Sequence, residues 1–301
     1  MGYASIAELR GASKRYGKHI ALQPTDLSIR AGEVLALLGP NGAGKTTVLG
    51  LLTGRLSADA GSARLFGADP RDWRARRRIG VMLQDGRLPE TLRVSEHIAL
   101  YAGYYPKPRP LEETLELAGL TDIAQRRYEQ LSGGQQRRVQ FALAICGRAP
   151  LLFVDEPTVG LDVEARRNFW QVLGQLRAEG SSIVLTTHYL EEADALADRI
   201  VLLAGGRIFA EDTPAGIKAR ASGKRLRCRT RLSAAMLRGW PEVGKVHVEG
   251  ERTEICSHAP EVLLRRLLAA DADLVDLEVL PLSLEEAFLT LTATSASKEA
   301  A

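Results

Sequence analysis

The sequence predicts an α/β fold with a largely parallel sheet covered on both faces, followed by a small α+β domain. Short apolar runs alternate with helix-like stretches along the first two thirds of the chain. One of these runs leads through a glycine-rich loop into a helix, and another ends in two adjacent carboxylates. Nearly continuous apolar strands that alternate with helices are typical of parallel sheets buried on both sides.

The predicted strands of the sheet are runs rich in branched aliphatic residues. In chain order they are EVLALLGP, RIGVMLQD, PLLFVDEP, SIVLTTH and RIVLLAGGRI. Between the second and third runs the pattern changes to amphipathic, helix-like segments, VSEHIALYAGYY, PLEETLELAGL and GGQQRRVQFALAICG. The sequence therefore predicts a sheet domain over residues 1–215, with a helical subdomain inserted at about residues 85–150.

Residues 216–301 predict a separate α+β domain. RLRCRTRL, KVHVEG, RTEICSH and DLVDLEVL are strand-like, whereas PEVLLRRLLAA and LPLSLEEAFLTLT are helix-like. Ser283 is a suitable N-cap for the last helix. In RLRCRTRL the arginines alternate with Leu226 and Cys228, which predicts one solvated and one buried face. We expect a regulatory or dimer-supporting role rather than RNA binding, because the domain offers few aromatic side chains for stacking on bases.

Composition excludes several functional classes. The 301 residues include 40 basic and 37 acidic ones, and a net charge of +3 gives no support for a nucleic-acid partner. The three cysteines are far apart and lack CxxC spacing, so neither a disulfide framework nor a zinc site is expected. No apolar run approaches the roughly 20 residues that cross a bilayer, and the N-terminus lacks the apolar core of a signal peptide. We expect a cytosolic chain with no transmembrane segment of its own.

The glycine-rich loop is GPNGAGKTT, which fits the phosphate-binding pattern G-x-x-x-x-G-K-[ST] between a strand and a helix. It comprises Gly39, Pro40, Asn41, Gly42, Ala43, Gly44, Lys45, Thr46 and Thr47. Its backbone N–H groups and the positive end of the following helix favour phosphate. Lys45 is expected to reach the β- and γ-phosphates of a bound nucleotide, and the Thr46 hydroxyl to bind Mg²⁺. The alternative is a glycine-rich structural turn.

The run PLLFVDEP places Asp155 and Glu156 at the carboxyl end of a buried strand, where open α/β sheets bind ligands. Asp155 is expected to complete the Mg²⁺ shell, and Glu156 to polarise a water for in-line attack on the γ-phosphate. An Asp-Glu pair alone is common at solvated strand ends, so this interpretation depends on the neighbouring phosphate loop.

A second glycine-rich helix start, LSGGQQRR, has no lysine to hold a phosphate and no strand before it. Other short motifs accompany it in a definite order: Tyr16 in KRYGKHIAL, the phosphate loop, Gln84 in GVMLQD, LSGGQ at 131–135, the acidic strand end, GLD at 160–162 and His188 in TTHYLEEAD. Taken together, in this order, these motifs resemble the ATP-binding subunit of an ABC transporter. The match covers about residues 5–215 and implies a P-loop NTPase sheet domain of the ABC ATPase type.

The resemblance implies a composite active site. In the family, two such domains face each other head to tail, and LSGGQ of one caps the ATP held on the phosphate loop of the other. Ser132, Gly133, Gly134 and Gln135 are then half of a site. Donors at a helix N-terminus suffice to grip a γ-phosphate but not a whole nucleotide. A monomer should hydrolyse ATP poorly, and activity should depend on protein concentration.

The remaining roles also follow from the resemblance. Tyr16 would stack on adenine, and Gln84 would touch Mg²⁺ or the attacking water and relay the nucleotide state to a membrane partner. His188 would contact the γ-phosphate and orient the water, and Asp162 would link the two active sites. Taken singly, each has a simpler explanation: a surface tyrosine, a glutamine after a strand, a packed histidine, or an Asp that caps the next helix.

The phrases MLQDGRLPETLRVSEHI, TVGLD, THYLEEAD and LSLEEAF resemble the bacterial exporter branch, in which the permease is a separate chain. This implies a homodimer or heterodimer of ATPase subunits on a transmembrane permease at the cytoplasmic face of the plasma membrane. The alternative is a soluble ABC ATPase of DNA repair, chromosome structure or translation, but such relatives usually carry two cassettes or a long coiled coil. The basic stretch RDWRARRRIG is better explained as a helix with a solvated face than as a nucleic-acid or lipid patch.

Overall fold

The structure, a computed structural model, describes residues 5–84, 86–220 and 223–299, and only the backbone of residues 292–299. Asp85, where the predicted insert begins, lies outside the described residues, as do residues 1–4, 221–222 and 300–301. The chain divides into two compact units, residues 1–213 and 214–301.

The first unit contains nine strands and seven α-helices among its described residues. The strands are β1 (Ser5–Tyr16), β2 (His19–Arg30), β3 (Val34–Leu38), β4 (Ala60–Leu65), β5 (Ile79–Met82), β6 (Leu151–Asp155), β7 (Ser182–Thr186), β8 (Arg199–Ala204) and β9 (Arg207–Asp212). The helices are α1 (Lys45–Leu52), α2 (Trp73–Arg76), α3 (Val94–Ala102), α4 (Leu111–Leu117), α5 (Gly133–Ile145), α6 (Val163–Ala178) and α7 (Leu190–Leu196).

The predicted α/β fold is confirmed by a central sheet in the order β5-β6-β7-β3-β8-β9. The first five of these strands pair in parallel, and β9 closes the edge antiparallel to β8. Leu151 and Phe153 of β6 face one hydrophobic core, whereas Leu152 and Val154 face the other. The run RIVLLAGGRI, predicted as one strand, contains both β8 and the start of β9.

A second sheet, β2-β1-β4, is antiparallel and was not among the predicted strands. Its pairing contains several register shifts, which interrupt the alternation that marks a strand in sequence. This sheet packs its apolar face into the same core as α1. The turn between β1 and β2 places Tyr16 opposite His19, close to the phosphate loop.

Helices α3, α4 and α5 coincide with the amphipathic segments between the second and third predicted strands. Among described residues 86–150 the structure assigns no β-strand, and only an isolated bridge joins Arg93 to Arg127. Short 3₁₀ turns cover Thr121–Ile123 and Tyr128–Gln130. Val94 and Ile98 of α3 pack in one core with Phe141 of α5, so the insert is anchored by α5.

The second unit has an antiparallel sheet in the order β11-β12-β10-β13. Its elements are α8 (Pro214–Arg220), β10 (Lys224–Arg229), α9 (Ala234–Arg238), β11 (Val243–Glu249), β12 (Arg252–Ser257), α10 (Pro260–Ala270), β13 (Val275–Pro281) and α11 (Leu284–Glu299). Leu226 and Cys228 are buried as predicted. The strand β10 ends earlier than RLRCRTRL suggested, because Thr230 and Arg231 turn to hydrogen-bond Asp271.

Ser283 is the N-cap that the sequence predicted for the last helix. Its hydroxyl accepts from the Glu286 N–H at 3.2 Å, and the Glu286 carboxylate accepts from the Ser283 N–H at 2.7 Å. This reciprocal pair is a capping box, which satisfies two backbone donors at the helix start. Within the described residues, the structure contains no helix whose length and apolar character suffice to cross a membrane.

Candidate functional site

The phosphate loop joins β3 to α1, and Lys45 is the first residue of that helix. The Lys45 ammonium donates to the carbonyl oxygens of Gly39 at 2.6 Å and Pro40 at 3.3 Å. It also lies 4.0 Å from a carboxylate oxygen of Glu156. A buried ammonium folded back over its own loop presents positive charge where phosphate would enter.

Two glycines of the loop are required by close backbone approach. A Cβ at Gly39 would lie 2.3 Å from the carbonyl oxygen of Leu203, and one at Gly44 would lie 2.7 Å from that of Ala21. Gly44 also has φ +106°, a conformation that L side chains rarely adopt. The loop is therefore held between the sheet and the β1–β2 hairpin, with its backbone N–H groups near the start of α1.

The acidic pair lies at the carboxyl end of β6, buried beside Thr186 of β7. The Thr186 hydroxyl donates to an Asp155 carboxylate oxygen in a very short hydrogen bond and accepts from the Glu156 N–H at 3.0 Å. Burial raises the pKa of the Asp155 carboxyl, and the hydrogen bond from Thr186 lowers it. Because burial disfavours the ionised form of Asp155, a cation bound beside the carboxylate would stabilise it.

Glu156 has a strained backbone conformation, and its carboxylate contacts His188 and Lys45. Its φ of +50° lies in the left-handed region, which is uncommon for a residue with a side chain and concentrates at functional sites. One carboxylate oxygen lies 2.5 Å from Nδ1 of His188. The other is the oxygen that approaches Lys45. The local structure thus aims this carboxylate into the site, between an ammonium and an imidazole.

The phosphate loop and the acidic pair line one cavity of about 410 Å³. The predicted site residues that line it are Tyr16, Asn41, Gly42, Ala43, Gly44, Lys45, Thr46, Thr47, Gln84, Asp155 and Glu156. His188 does not line this cavity and reaches it through Glu156. His19 and Ala21 also line it, and the sequence analysis missed both. Their only sequence signal is that they follow Tyr16 across a tight turn.

LSGGQ lies at the start of α5 and does not line the cavity at the phosphate loop. Ser132 caps α5 by a capping box, in which Gln135 N–H donates to the Ser132 hydroxyl at 3.4 Å and Ser132 N–H donates to the Gln135 side chain at 3.0 Å. Ser132, Gly134 and Gln135 line a cavity of about 810 Å³ between α5 and α6. The space in front of Gly133 is open. No lining residue of this cavity lines the one at the phosphate loop.

The same large cavity is also lined by Gly160 and Asp162. Asp162 is the N-cap of α6, and its carboxylate accepts from the Ala165 N–H at 2.7 Å. The capping role considered for Asp162 is therefore present, and it leaves the GLD turn on the side of the molecule that carries LSGGQ.

Three further residues connect these elements and were not singled out in the sequence: Thr186, Arg137 and Glu192. Arg137 joins α5 to the ends of β5 and β6. Glu192, fully buried, accepts hydrogen bonds from Trp170 and Thr158. No local pattern marks a side chain whose partners lie tens of residues away, so tertiary structure alone reveals them.

This fold and site define a cassette that binds a nucleoside triphosphate. The cassette also carries LSGGQ at the N-terminus of α5, away from its own nucleotide cavity. Residues 22–159 match the sequence profile of the ABC transporter family. The chain is 36% identical to the daunorubicin resistance ATP-binding protein DrrA2 of Streptomyces coeruleorubidus, over 97% of this chain and 95% of that protein. It is also 36% identical to the Nod factor export ATP-binding protein I of Rhizobium sp. (strain N33), over 97% and 98% of the two chains.

Among solved structures, the fold is similar to the ATP-binding cassette MJ0796, solved as a dimer in a post-hydrolysis state bound to ADP and phosphate. The TM-score is 0.64 at 28% identity, over 69% of this chain and 98% of that one. The chain therefore belongs to the ABC transporter family, as its ATP-binding and ATP-hydrolysing subunit. The resemblance of the sequence motifs to the ATP-binding subunit of an ABC transporter is therefore confirmed.

Proposed function

We propose that this chain is the ATPase of an exporter whose transmembrane permease is a separate chain, and that it acts as a dimer with two composite ATP sites. The observation that carries the proposal is the separation of the two half sites. Within one chain, the phosphate loop and LSGGQ line cavities that share no residue. A second copy, or a related cassette, would bring its LSGGQ over the first cavity.

The named relatives support the exporter assignment. Relatives that align over nearly the whole chain are named for drug resistance and for Nod factor export. The alignment includes the second unit, so that unit is part of the same type of subunit, and we assign it an accessory, regulatory role. The location would be peripheral, at the cytoplasmic face of the plasma membrane. The transported compound contacts the permease, so this chain does not choose it.

Mg²⁺ fits the oxygen donors at the phosphate loop. Thr46, Gln84 and Asp155 line one cavity, and they offer a hydroxyl, an amide oxygen and a carboxylate. Mg²⁺ in nucleotide sites is held by one or two such groups together with phosphate oxygens and water. Burial raises the pKa of the Asp155 carboxyl, so a cation beside this carboxylate would stabilise its ionised form. When bound, the ion would neutralise charge on the phosphates.

The catalytic steps assigned to protein groups follow from the geometry at Glu156. Its carboxylate would accept the proton of a water that attacks the γ-phosphate in line. His188, already bonded to Glu156 at 2.5 Å, would hold that carboxylate in one orientation and contact the γ-phosphate. Lys45 would stabilise the charge on the transferred phosphoryl group, and Tyr16 would stack on adenine.

Dimer dependence gives the first test. ATPase activity per molecule should rise with protein concentration and saturate, because a solitary subunit lacks half of each site. Specific activity that stays constant over a wide dilution range would exclude composite sites.

Glu156→Gln tests the catalytic carboxylate. This variant should retain ATP binding, accumulate as an ATP-bound dimer in size-exclusion chromatography, and lose turnover by about 100-fold or more. Turnover at the wild-type rate in Glu156→Gln would exclude the role of Glu156.

A further inference from the structure

Arg137 makes an unusual set of contacts for a residue two positions beyond LSGGQ. From the second turn of α5, its guanidinium donates to four backbone carbonyl oxygens. The acceptors are the carbonyl oxygens of Leu83 at 3.0 Å, Gln84 at 2.7 Å and Asp155 at 2.8 Å, together with that of Glu156. They belong to two chain segments, which follow β5 and close β6, and those segments carry the Gln84, Asp155 and Glu156 side chains of the nucleotide cavity.

Gln140, one turn further along α5, reinforces the same contact. Its side-chain oxygen accepts from Arg137 at 3.1 Å, and its amide donates to the Gly86 carbonyl at 2.6 Å. One face of α5 therefore holds the backbone around Gln84 and the strained residue Glu156 together. A planar guanidinium with five donors can hold several carbonyls in a fixed geometry, which a lysine ammonium cannot reproduce.

We propose that Arg137 is a positioning residue that couples LSGGQ to the catalytic carboxylate of its own subunit. The inference rests on the proposed function, because LSGGQ meets a nucleotide only in the dimer. Ser132 is the N-cap of α5, and Arg137 lies on that helix. When LSGGQ engages the ATP on the partner, any movement of α5 is passed through Arg137 to the carbonyls of Gln84 and Glu156. Each subunit's own Glu156 is thereby set by the nucleotide that the partner holds.

Arg137→Lys tests the coupling, and Arg177→Lys is the matched control. Arg177 lies in the last turn of α6, donates to the Asp198 carboxylate at 2.7 Å, and lines neither the nucleotide cavity nor the LSGGQ cavity. For Arg137→Lys we expect kcat to fall about 10- to 100-fold, as for other small misplacements of catalytic groups, with ATP affinity within about twofold of wild type. A wild-type dimer with two coupled sites should show a Hill coefficient for ATP above 1, with an upper limit of about 2, and Arg137→Lys should show a value of about 1. Arg177→Lys should match the wild type.

Mixed dimers decide in which subunit Arg137 acts. Two differently tagged subunits allow Glu156→Gln and Arg137→Lys to be placed on one subunit or on opposite subunits. If Arg137 positions its own Glu156, the dimer with both changes on one subunit keeps one intact site. The dimer with the changes on opposite subunits should then be about tenfold less active. The reverse order would overturn the proposal, because it would mean that Arg137 only shapes the LSGGQ that caps the partner's ATP.

If Arg137 had only a structural role, Arg137→Lys would lower the thermal unfolding midpoint. It would leave the Hill coefficient at its wild-type value, and the two mixed dimers would be equally active. If Arg137→Lys does not fold, Gln140→Leu removes the support of Arg137 with little change in volume and should also lower the Hill coefficient. A wild-type Hill coefficient and kcat in that variant would overturn the proposal. If the wild type itself shows no dependence on concentration, composite sites fail, which is a failure of the proposed function and is seen before any variant is made.

Discussion

Glu192 is a buried carboxylate whose replacement separates the effect of its hydrogen bonds from the effect of its charge. It lies on α7, four residues after His188, and is fully buried. Its oxygens accept from the Trp170 indole N–H at 3.1 Å and the Thr158 hydroxyl at 3.3 Å. Thr158 is part of the segment between Glu156 and Asp162. The residue therefore joins the segment after Glu156 to the helix after His188.

Glu192→Ala should make the first unit about 2–4 kcal/mol less stable than Glu192→Gln, because both variants remove the charge and only alanine removes the hydrogen-bond acceptor. The Trp170 N–H would lose its acceptor, and a buried donor left unpaired costs about 1–3 kcal/mol. The alanine variant also loses one buried methylene group, which adds about 0.8 kcal/mol. The threonine hydroxyls can rotate to other acceptors, so their contribution is small. For a unit of this size each kcal/mol lowers the unfolding midpoint by about 2–4 °C, which predicts a midpoint about 4–16 °C below that of the glutamine variant.

Glu192→Gln should behave differently. Burial raises the pKa of Glu192, and hydrogen bonds from Thr187, Trp170 and Thr158 lower it, with a net increase. A carboxyl whose pKa is raised in the folded state contributes stability at low pH, and this contribution is lost as the pH rises through that value. At neutral pH the wild type therefore bears the cost of a buried charge, and the neutral glutamine variant should be equally or more stable.

Thermal unfolding measured by circular dichroism from neutral pH into the acid range tests both expectations. The advantage of Glu192→Gln over wild type should shrink as the pH falls through the raised pKa, because wild-type Glu192 then becomes neutral as well. A difference of less than about 1 kcal/mol between Glu192→Ala and Glu192→Gln would refute the hydrogen-bond argument. A glutamine variant clearly less stable than the wild type at neutral pH would refute the charge argument.

Two further substitutions test packing and buried charge. Gly39→Ala would place a Cβ 2.3 Å from the Leu203 carbonyl oxygen, and we expect a loss of about 1–3 kcal/mol in thermal unfolding and weaker ATP binding by calorimetry. The control Gly174→Ala, with no atom within 4 Å, should be neutral or stabilising by up to about 1 kcal/mol, and an unchanged Gly39→Ala protein would contradict the packing argument. Arg199→Met would leave the buried Glu33 carboxylate, now 2.5 Å from the guanidinium, without its partner. The expected loss is about 3–5 kcal/mol in denaturant titration, and a loss below about 1 kcal/mol would show that Glu33 finds another partner.

The order of helices and strands around the site was largely readable from the sequence. Each signal is local: a continuous apolar run for β6, a glycine-rich loop before Lys45, and a serine before a helix at Ser132. The antiparallel sheet of β1 and β2 was missed, because register shifts interrupt its alternation. The helix predicted in the basic stretch is only one turn, Trp73–Arg76.

The sequence by itself determined the nucleotide chemistry, because the phosphate loop is contiguous and its backbone donors and lysine act within nine residues. Tertiary structure alone decided that Glu156 pairs with His188, that Thr186 holds Asp155, and that Arg137 connects LSGGQ to both strand ends. These contacts join residues 18 to 54 positions apart, and the energy of a hydrogen bond depends on the distance in space, which sequence separation does not reveal.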